Sequence, residues 1–110
     1  MIHYGMTKTA QLSIARGIAE LTKETNVTSN SIIVGPSNSE GVTTFLNDYA
    51  KEQNITFEEM EKNFFQTVRP TSLLQRFTDV EEIANLIVYT ASSLSSATNG
   101  AVLRADAGVI

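Results

Sequence analysis

The sequence contains no cysteine, a single histidine, two prolines and only six glycines among its 110 residues. Without cysteine there can be no disulfide, no thiolate nucleophile and no Cys-ligated zinc. With one histidine besides, no metal site is expected. Long apolar runs are also missing. Ile32-Ile33-Val34 and Leu86-Ile87-Val88 are far shorter than the roughly 20 residues a spanning helix needs. The N-terminus lacks a basic segment followed by an apolar run, so no signal peptide is expected. Lysine and arginine form no cluster, and 12 acidic against 8 basic residues leave a net charge of -4. That balance argues against a nucleic-acid partner. At 42% apolar the chain is too hydrophobic to remain disordered. The expectation is a single globular domain over residues 1–110, cytoplasmic, with no membrane partner.

Hydrophobic spacing gives a coarse order of elements. Ala10, Ile14, Ile18 and Leu21 recur at helical spacing and predict a helix over 4–24, with Asn26 as its stop. Val27, Thr28, Ile32, Ile33 and Val34 are β-branched and predict a strand over 27–34, broken by Gly35-Pro36. A second helix is expected over 40–52, with Val42, Phe45, Leu46, Tyr49 and Ala50 on its apolar face. Thr56-Phe57-Glu58-Glu59 has the form of a capping box and opens a third helix to about Thr67, with Met60, Phe64 and Phe65 as the candidates for burial. Thr78-Asp79-Val80-Glu81 reads as another such box, followed by a helical stripe from Val80 through Ile83, Ile87 and Ala91 to Leu94. A polar turn from Ser95 to Gly100 then leads to a last strand over 101–106. Helix, strand, three helices, strand implies an α/β fold with two parallel strands joined by a right-handed crossover. Two strands are few for a parallel sheet, and the edge of the first would be open. The apolar side chains Ile32, Val34, Val102 and Leu103 are the ones expected to be exposed there.

Tyr4 and Lys8 stand four apart at the start of the first helix, which puts both on one face. An ammonium beside a phenol favours the phenolate, and a tyrosine so tuned can act as a general acid or base. The spacing alone is shared by many ordinary exposed helical pairs. Its surroundings are more specific. Tyr4-Gly5-Met6-Thr7-Lys8 opens a long helix, and Asn30-Ser31-Ile32-Ile33-Val34-Gly35-Pro36 ends the next strand. Gln75-Arg76-Phe77 precedes Glu81-Glu82-Ile83-Ala84, and Val102 to Gly108 closes the chain. In this order and spacing the sequence resembles the C-terminal half of a classical short-chain dehydrogenase/reductase.

The resemblance implies the C-terminal portion of a Rossmann-like doubly wound fold. Residues 4–36 would be the catalytic helix and strand, 37–70 the substrate lid helices, and 78–110 the last helix and strand. The parent activity would be NAD(P)-dependent oxidoreduction of a carbonyl or alcohol substrate. Tyr4 would be the acid/base, and Lys8 would lower its pKa and hydrogen-bond the nicotinamide ribose. Gly35, Pro36, Ser37 and Ser39 would contact the nicotinamide end of the cofactor, Ser37 through its backbone and Ser39 through its hydroxyl. Phe45, Tyr49, Phe57, Phe64 and Phe65 would be available as apolar pocket wall.

The sequence also departs from the family pattern. It has no Gly-x-x-x-Gly-x-Gly run to cradle dinucleotide phosphates at a helix N-terminus. No counterpart of the catalytic serine precedes Tyr4. Val34 stands where the family has proline, and Ala107 where it has glycine. The chain therefore reads as truncated before the catalytic tyrosine and inactive alone, so that the cofactor, NAD or NADP, need not be bound by this chain itself. Its expected partners are a second copy or the missing N-terminal half. The alternative is a non-enzymatic dimerisation or interaction module derived from such an enzyme.

Overall fold

A computed structural model of the chain describes residues 1–109. Its elements are α1 (Ile2–Leu21), β1 (Ser31–Val34), α2 (Glu40–Glu52), α3 (Phe57–Thr67), α4 (Val80–Ala91), a short 3-10 turn (Ser93–Ser95) and β2 (Val102–Ala105). The two strands pair directly in a two-stranded parallel sheet. No helix among the described residues is long and apolar enough to cross a membrane. The described residues group into two compact units, one of 1–33 and 86–104, the other of 34–85 and 105–109.

In the first unit, α1 begins at Ile2 and ends at Leu21, shorter at its C-terminus than the spacing predicts. Thr22 stops it, donating its hydroxyl to the Ile18 carbonyl at 3.1 Å. Glu24, not Asn26, takes the left-handed conformation, at φ 67°. The strand is likewise shorter than 27–34. Residues 29 and 30 have their hydrogen bonds elsewhere: the Ser29 amide donates to Asn99 Oδ1 and the Asn30 side-chain amide to the Thr98 carbonyl. Asn30 Oδ1 in turn accepts from the Ala101 amide at 3.0 Å. Ahead of the strand, backbone pairing is limited to the Gly100 amide on the Ser29 carbonyl at 2.9 Å, and the strand proper starts where Ser31 N–H meets the Ala101 carbonyl. The last helix stops at Ala91, because Ser92 caps the 3-10 turn through a bond from the Leu94 amide. Leu94 is therefore not on the helical stripe but 79% exposed.

The second unit holds the hydrophobic core. α2 covers 40–52 as expected, and α3 opens on the capping box read from the sequence. The Glu59 amide donates to Thr56 Oγ1 at 3.2 Å, and the Thr56 amide to Glu59 Oε2 at 3.0 Å. Between them the helices bury Leu46, Ala50, Met60 and Phe65 against Phe77, with Phe57 and Phe64 partly covered. Phe65 is completely buried. Its ring meets Phe64 and Phe77 edge-on at 5.1 and 5.0 Å, a favoured geometry for aromatic pairs.

The start of α4 corrects the expected box by one residue. Thr78 is buried, forms an isolated parallel bridge with Ser37, and donates both its amide and its hydroxyl to the Pro36 carbonyl. Extended and so engaged, it does not cap the helix. One residue on, only the acidic half of such a box forms, the Asp79 amide donating to Glu82 Oε2 at 2.9 Å. β2 ends at Ala105, because Asp106 turns the chain: its Oδ1 accepts from the Gly108 amide. Of the strand residues expected to be exposed, Val34 and Val102 are so, whereas Ile32 and Leu103 are half-buried.

Candidate functional site

Tyr4 and Lys8 lie on the first two turns of α1. One helical repeat carries the lysine back over the tyrosine, and its ammonium sits 5.7 Å from the ring centroid, over the π face. The ring is about half exposed, with 52% of its surface open. Thr7, between them, donates its hydroxyl to the Tyr4 carbonyl at 2.9 Å and so turns back onto the helix. The pair is thus preformed, with its phenol and ammonium both reachable.

Gly35, Pro36, Ser37 and Ser39 form a half-buried segment at the end of β1. Gly35 N–H continues the ladder to the Ala105 carbonyl at 3.2 Å. A Cβ placed on Gly35 would lie 2.6 Å from the Asp106 carbonyl oxygen and 2.7 Å from its Cα. The absence of a side chain here is therefore dictated by the close approach of two backbones. Beyond it, the bridge to Thr78 is made through the Pro36 carbonyl and the Asn38 amide. In a parallel bridge of this kind the intervening residue turns its own N–H and C=O away from its partner. Ser37 accordingly has no backbone partner among the described residues. Ser39 opens α2 in extended conformation, yet its hydroxyl makes no capping bond. Half-buried and unpaired, these groups offer a donor and acceptors to a polar ligand.

Thr78 and Asp106 hold this segment in shape, and neither was a candidate from sequence. Thr78 reads as a helix cap locally, and its true partner, Pro36, is 42 positions away. Arg76 makes a paired contact with Glu82, at 2.8 and 2.7 Å, and also donates to the Phe77 carbonyl. The hydrogen bonds from Arg76 and then from the Asp79 amide hold the Glu82 carboxyl down at about 2. The Phe77 amide donates to Glu61 Oε1 of α3 at 2.8 Å, tying that helix to the loop.

Of the aromatics expected as pocket wall, Phe57, Phe64 and Phe65 belong to the core cluster with Phe77. Phe45 and Tyr49 remain 67% and 46% exposed.

The family described as enoyl-(acyl carrier protein) reductase matches residues 1–110. An uncharacterized oxidoreductase of Bacillus subtilis (strain 168), YvaG, is 49% identical over all 110 residues, which are 42% of its own length. Among solved structures, Cj0485 dehydrogenase is 31% identical, with a TM-score of 0.75 over 96% of this chain and 38% of its own. L-sorbose reductase from Gluconobacter frateurii, solved with NADPH and L-sorbose, shares 20% identity. Its TM-score of 0.81, over 97% of this chain and 40% of that one, shows the common fold.

The chain belongs to the short-chain dehydrogenase/reductase family. Its α/β architecture is a portion of the Rossmann-type fold of those enzymes, and it spans about two-fifths of the length of the relatives it matches.

The family's cofactor is NAD(P). The Ser37 backbone and the Ser39 hydroxyl, without a hydrogen-bond partner among the described residues, are donors and acceptors of the kind a carboxamide would pair with. The phosphates are another matter: no glycine-rich turn at a helix N-terminus occurs among the described residues.

Proposed function

We propose that this chain carries the proton-transfer and nicotinamide-facing part of an NAD(P)-dependent oxidoreductase acting on a carbonyl or alcohol. The observation that carries the reading is the Tyr4–Lys8 pair, joined at 5.7 Å on α1 of a chain matched by the family along its whole length. Tyr4 donates a proton to the substrate oxygen during reduction and takes it back during oxidation. Lys8 holds positive charge beside the phenol and hydrogen-bonds the ribose. Gly35 and Pro36 set the path of the backbone, so that the Ser37 amide and carbonyl and the Ser39 hydroxyl can engage the carboxamide. The dinucleotide, when bound, supplies or accepts the hydride. These 110 residues hold no phosphate cradle, so turnover requires a further segment that provides one, and the chain by itself is inactive.

The test is a chimera in which this chain replaces the matching 110 residues of YvaG. NADH and NADPH oxidation is followed with a panel of aldehydes and ketones. The chimera should turn over at least one of them, and the isolated chain none. Tyr4→Phe in the chimera should lower kcat about 100-fold or more, the usual scale for loss of a general acid. Turnover by the isolated chain, or an active Tyr4→Phe chimera, would overturn the reading.

A second reading rests on a specific observation. Met6, Ile14 and Leu21 on α1 are 68%, 61% and 87% exposed, an apolar display on one helix. It supports self-association, with a second copy covering α1. Sedimentation of the isolated chain tests it: a monomer at high micromolar concentration excludes self-association through α1.

A further inference from the structure

Asn99 is the only asparagine in the chain that is followed by glycine. That dipeptide has a chemistry of its own. The glycine amide nitrogen, once its proton passes to a base in solvent, can attack the side-chain carbonyl carbon of the asparagine before it. With no Cβ, the glycine does not obstruct the approach. The turn requires glycine at this place: Gly100 has φ +64°, and a Cβ on it would lie 3.2 Å from Arg16 Nη1.

In the folded chain both reacting groups are tied to Ser29. The Ser29 amide donates to Asn99 Oδ1 at 2.9 Å, and the Ser29 carbonyl accepts from the Gly100 amide at 2.9 Å. Asn30 adds a second pair of bonds. Its Nδ2 donates to the Thr98 carbonyl and its Oδ1 accepts from the Ala101 amide, each at 3.0 Å. Ser29 is itself anchored on α1, its hydroxyl donating to the Ala15 carbonyl at 3.0 Å. The proton that must leave is therefore held by a carbonyl, and the carbon to be attacked belongs to a side chain fixed in place. The leaving group is unrestrained: Asn99 is exposed, and its Nδ2 has no partner among the described residues.

We propose that Asn99 is a deamidation site gated by the end of the two-stranded sheet. While Ser29 and Asn30 hold the 98–101 turn, Asn99 persists. When that end opens, the Gly100 nitrogen attacks Asn99 Cγ. The N–Cγ bond forms, the Cγ–Nδ2 bond breaks, and ammonia leaves a five-membered succinimide. Water then opens the ring at one of its two carbonyls, giving aspartate or isoaspartate, and nothing is oxidised or reduced. Isoaspartate routes the main chain through the side-chain carboxyl and so adds one backbone atom to the turn. The Gly100 and Ala101 amides then no longer reach Ser29 and Asn30 together, because turn length fixes strand register. A transient opening becomes a permanent one. Every residue involved lies in the first unit, and no hydride step takes part, so the inference is independent of the oxidoreductase reading.

The isolated chain is incubated in mildly alkaline buffer, with and without urea, and aspartate and isoaspartate at position 99 are followed by peptide mapping. Conversion should be at least tenfold slower without urea, since closing the turn lowers the population of the open form. Asn30→Ala removes two of the bonds that close the turn and leaves the dipeptide intact. It should speed conversion in buffer at least threefold and leave the rate in urea unchanged. Ser29→Pro lacks the amide donor and should do the same relative to Ser29→Ala, which keeps it. A variant that circular dichroism shows to be unfolded should convert at the urea rate in both conditions. Equal rates for the parent chain in buffer and urea overturn the proposal, as does a rate in buffer indifferent to both substitutions. Slower conversion in Ser29→Pro also overturns it, because the Ser29 amide would then be activating the Asn99 carbonyl instead of restraining it.

Discussion

Replacing Gly35 by alanine separates two reasons for a glycine at that position. If Gly35 served only to let a cofactor approach, adding a methyl would leave the fold intact and weaken binding. The geometry predicts otherwise. The new Cβ would stand 2.6 Å from the Asp106 oxygen, 2.7 Å from its Cα and 2.8 Å from its carbonyl carbon. Non-bonded carbons prefer about 3.5–4.0 Å, so the deficit is close to 1 Å. All three atoms are backbone, and no side chain can rotate to relieve the clash. The two segments must separate, which stretches the bond from Gly35 N–H to the Ala105 carbonyl, now 3.2 Å. Overpacking costs about 1–3 kcal/mol and a lost hydrogen bond about 1 kcal/mol. The stiffer unfolded chain returns about 0.4–1 kcal/mol. The net expectation is a loss of about 2–3 kcal/mol, or a fall in Tm of about 8–20 °C for a domain of this size. Urea and thermal unfolding followed by circular dichroism measure it. Gly41→Ala is the control, because its Cβ meets nothing within 4 Å on the exposed start of α2. That substitution should gain about 0.5–1 kcal/mol from helix propensity alone. If Gly35→Ala lay within 0.5 kcal/mol of the parent, the close approach to Asp106 would not be the reason for the glycine.

Three further outcomes follow from the second unit. Phe65→Ala removes its fully buried ring and should cost about 3–5 kcal/mol, enough to unfold much of the chain at 25 °C, with Phe65→Leu markedly milder in the same urea titration. Thr56→Ala removes the hydroxyl that caps α3 and should cost about 1 kcal/mol; an unchanged urea midpoint would mean that the Glu59 half of the box suffices. The Glu82 carboxyl is held down from its ordinary 4.5 to about 2 by Arg76 and the Asp79 amide. A depressed folded-state pKa gives stability that is fully present above about 4.5 and is lost as pH falls through about 2. Melting temperatures of the parent and Glu82→Gln between pH 6 and 2.5 should therefore converge below pH 4.5, and parallel curves would show that the Arg76 contact does not contribute.

Much of this was legible locally. The order of helices and strands followed from hydrophobic spacing, because a 3.6-residue stripe and a β-branched run bounded by Gly-Pro are properties of neighbouring residues. The Thr56–Glu59 box and the Tyr4–Lys8 contact have the same origin: partners three or four apart on a helix meet whatever the rest of the chain does. The family motifs, too, are strings of adjacent residues.

What tertiary structure decided involves partners far apart in sequence. Thr78 and Asp79 both have the composition of a helix cap, but only the bridge from Thr78 to Ser37 removes one of them from that role. Val27 and Thr28 have strand propensity, but the 98–101 turn engages Ser29 and Asn30 and leaves four residues to the sheet. Ile14 and Phe45 each lie on an apolar stripe that predicts burial, yet they remain exposed, because a stripe marks the face that would bury and only a packed neighbour covers it. The unpaired Ser37 backbone belongs with these. Local pattern placed the residue, and the distant Thr78 strand determined which edge of it stays open.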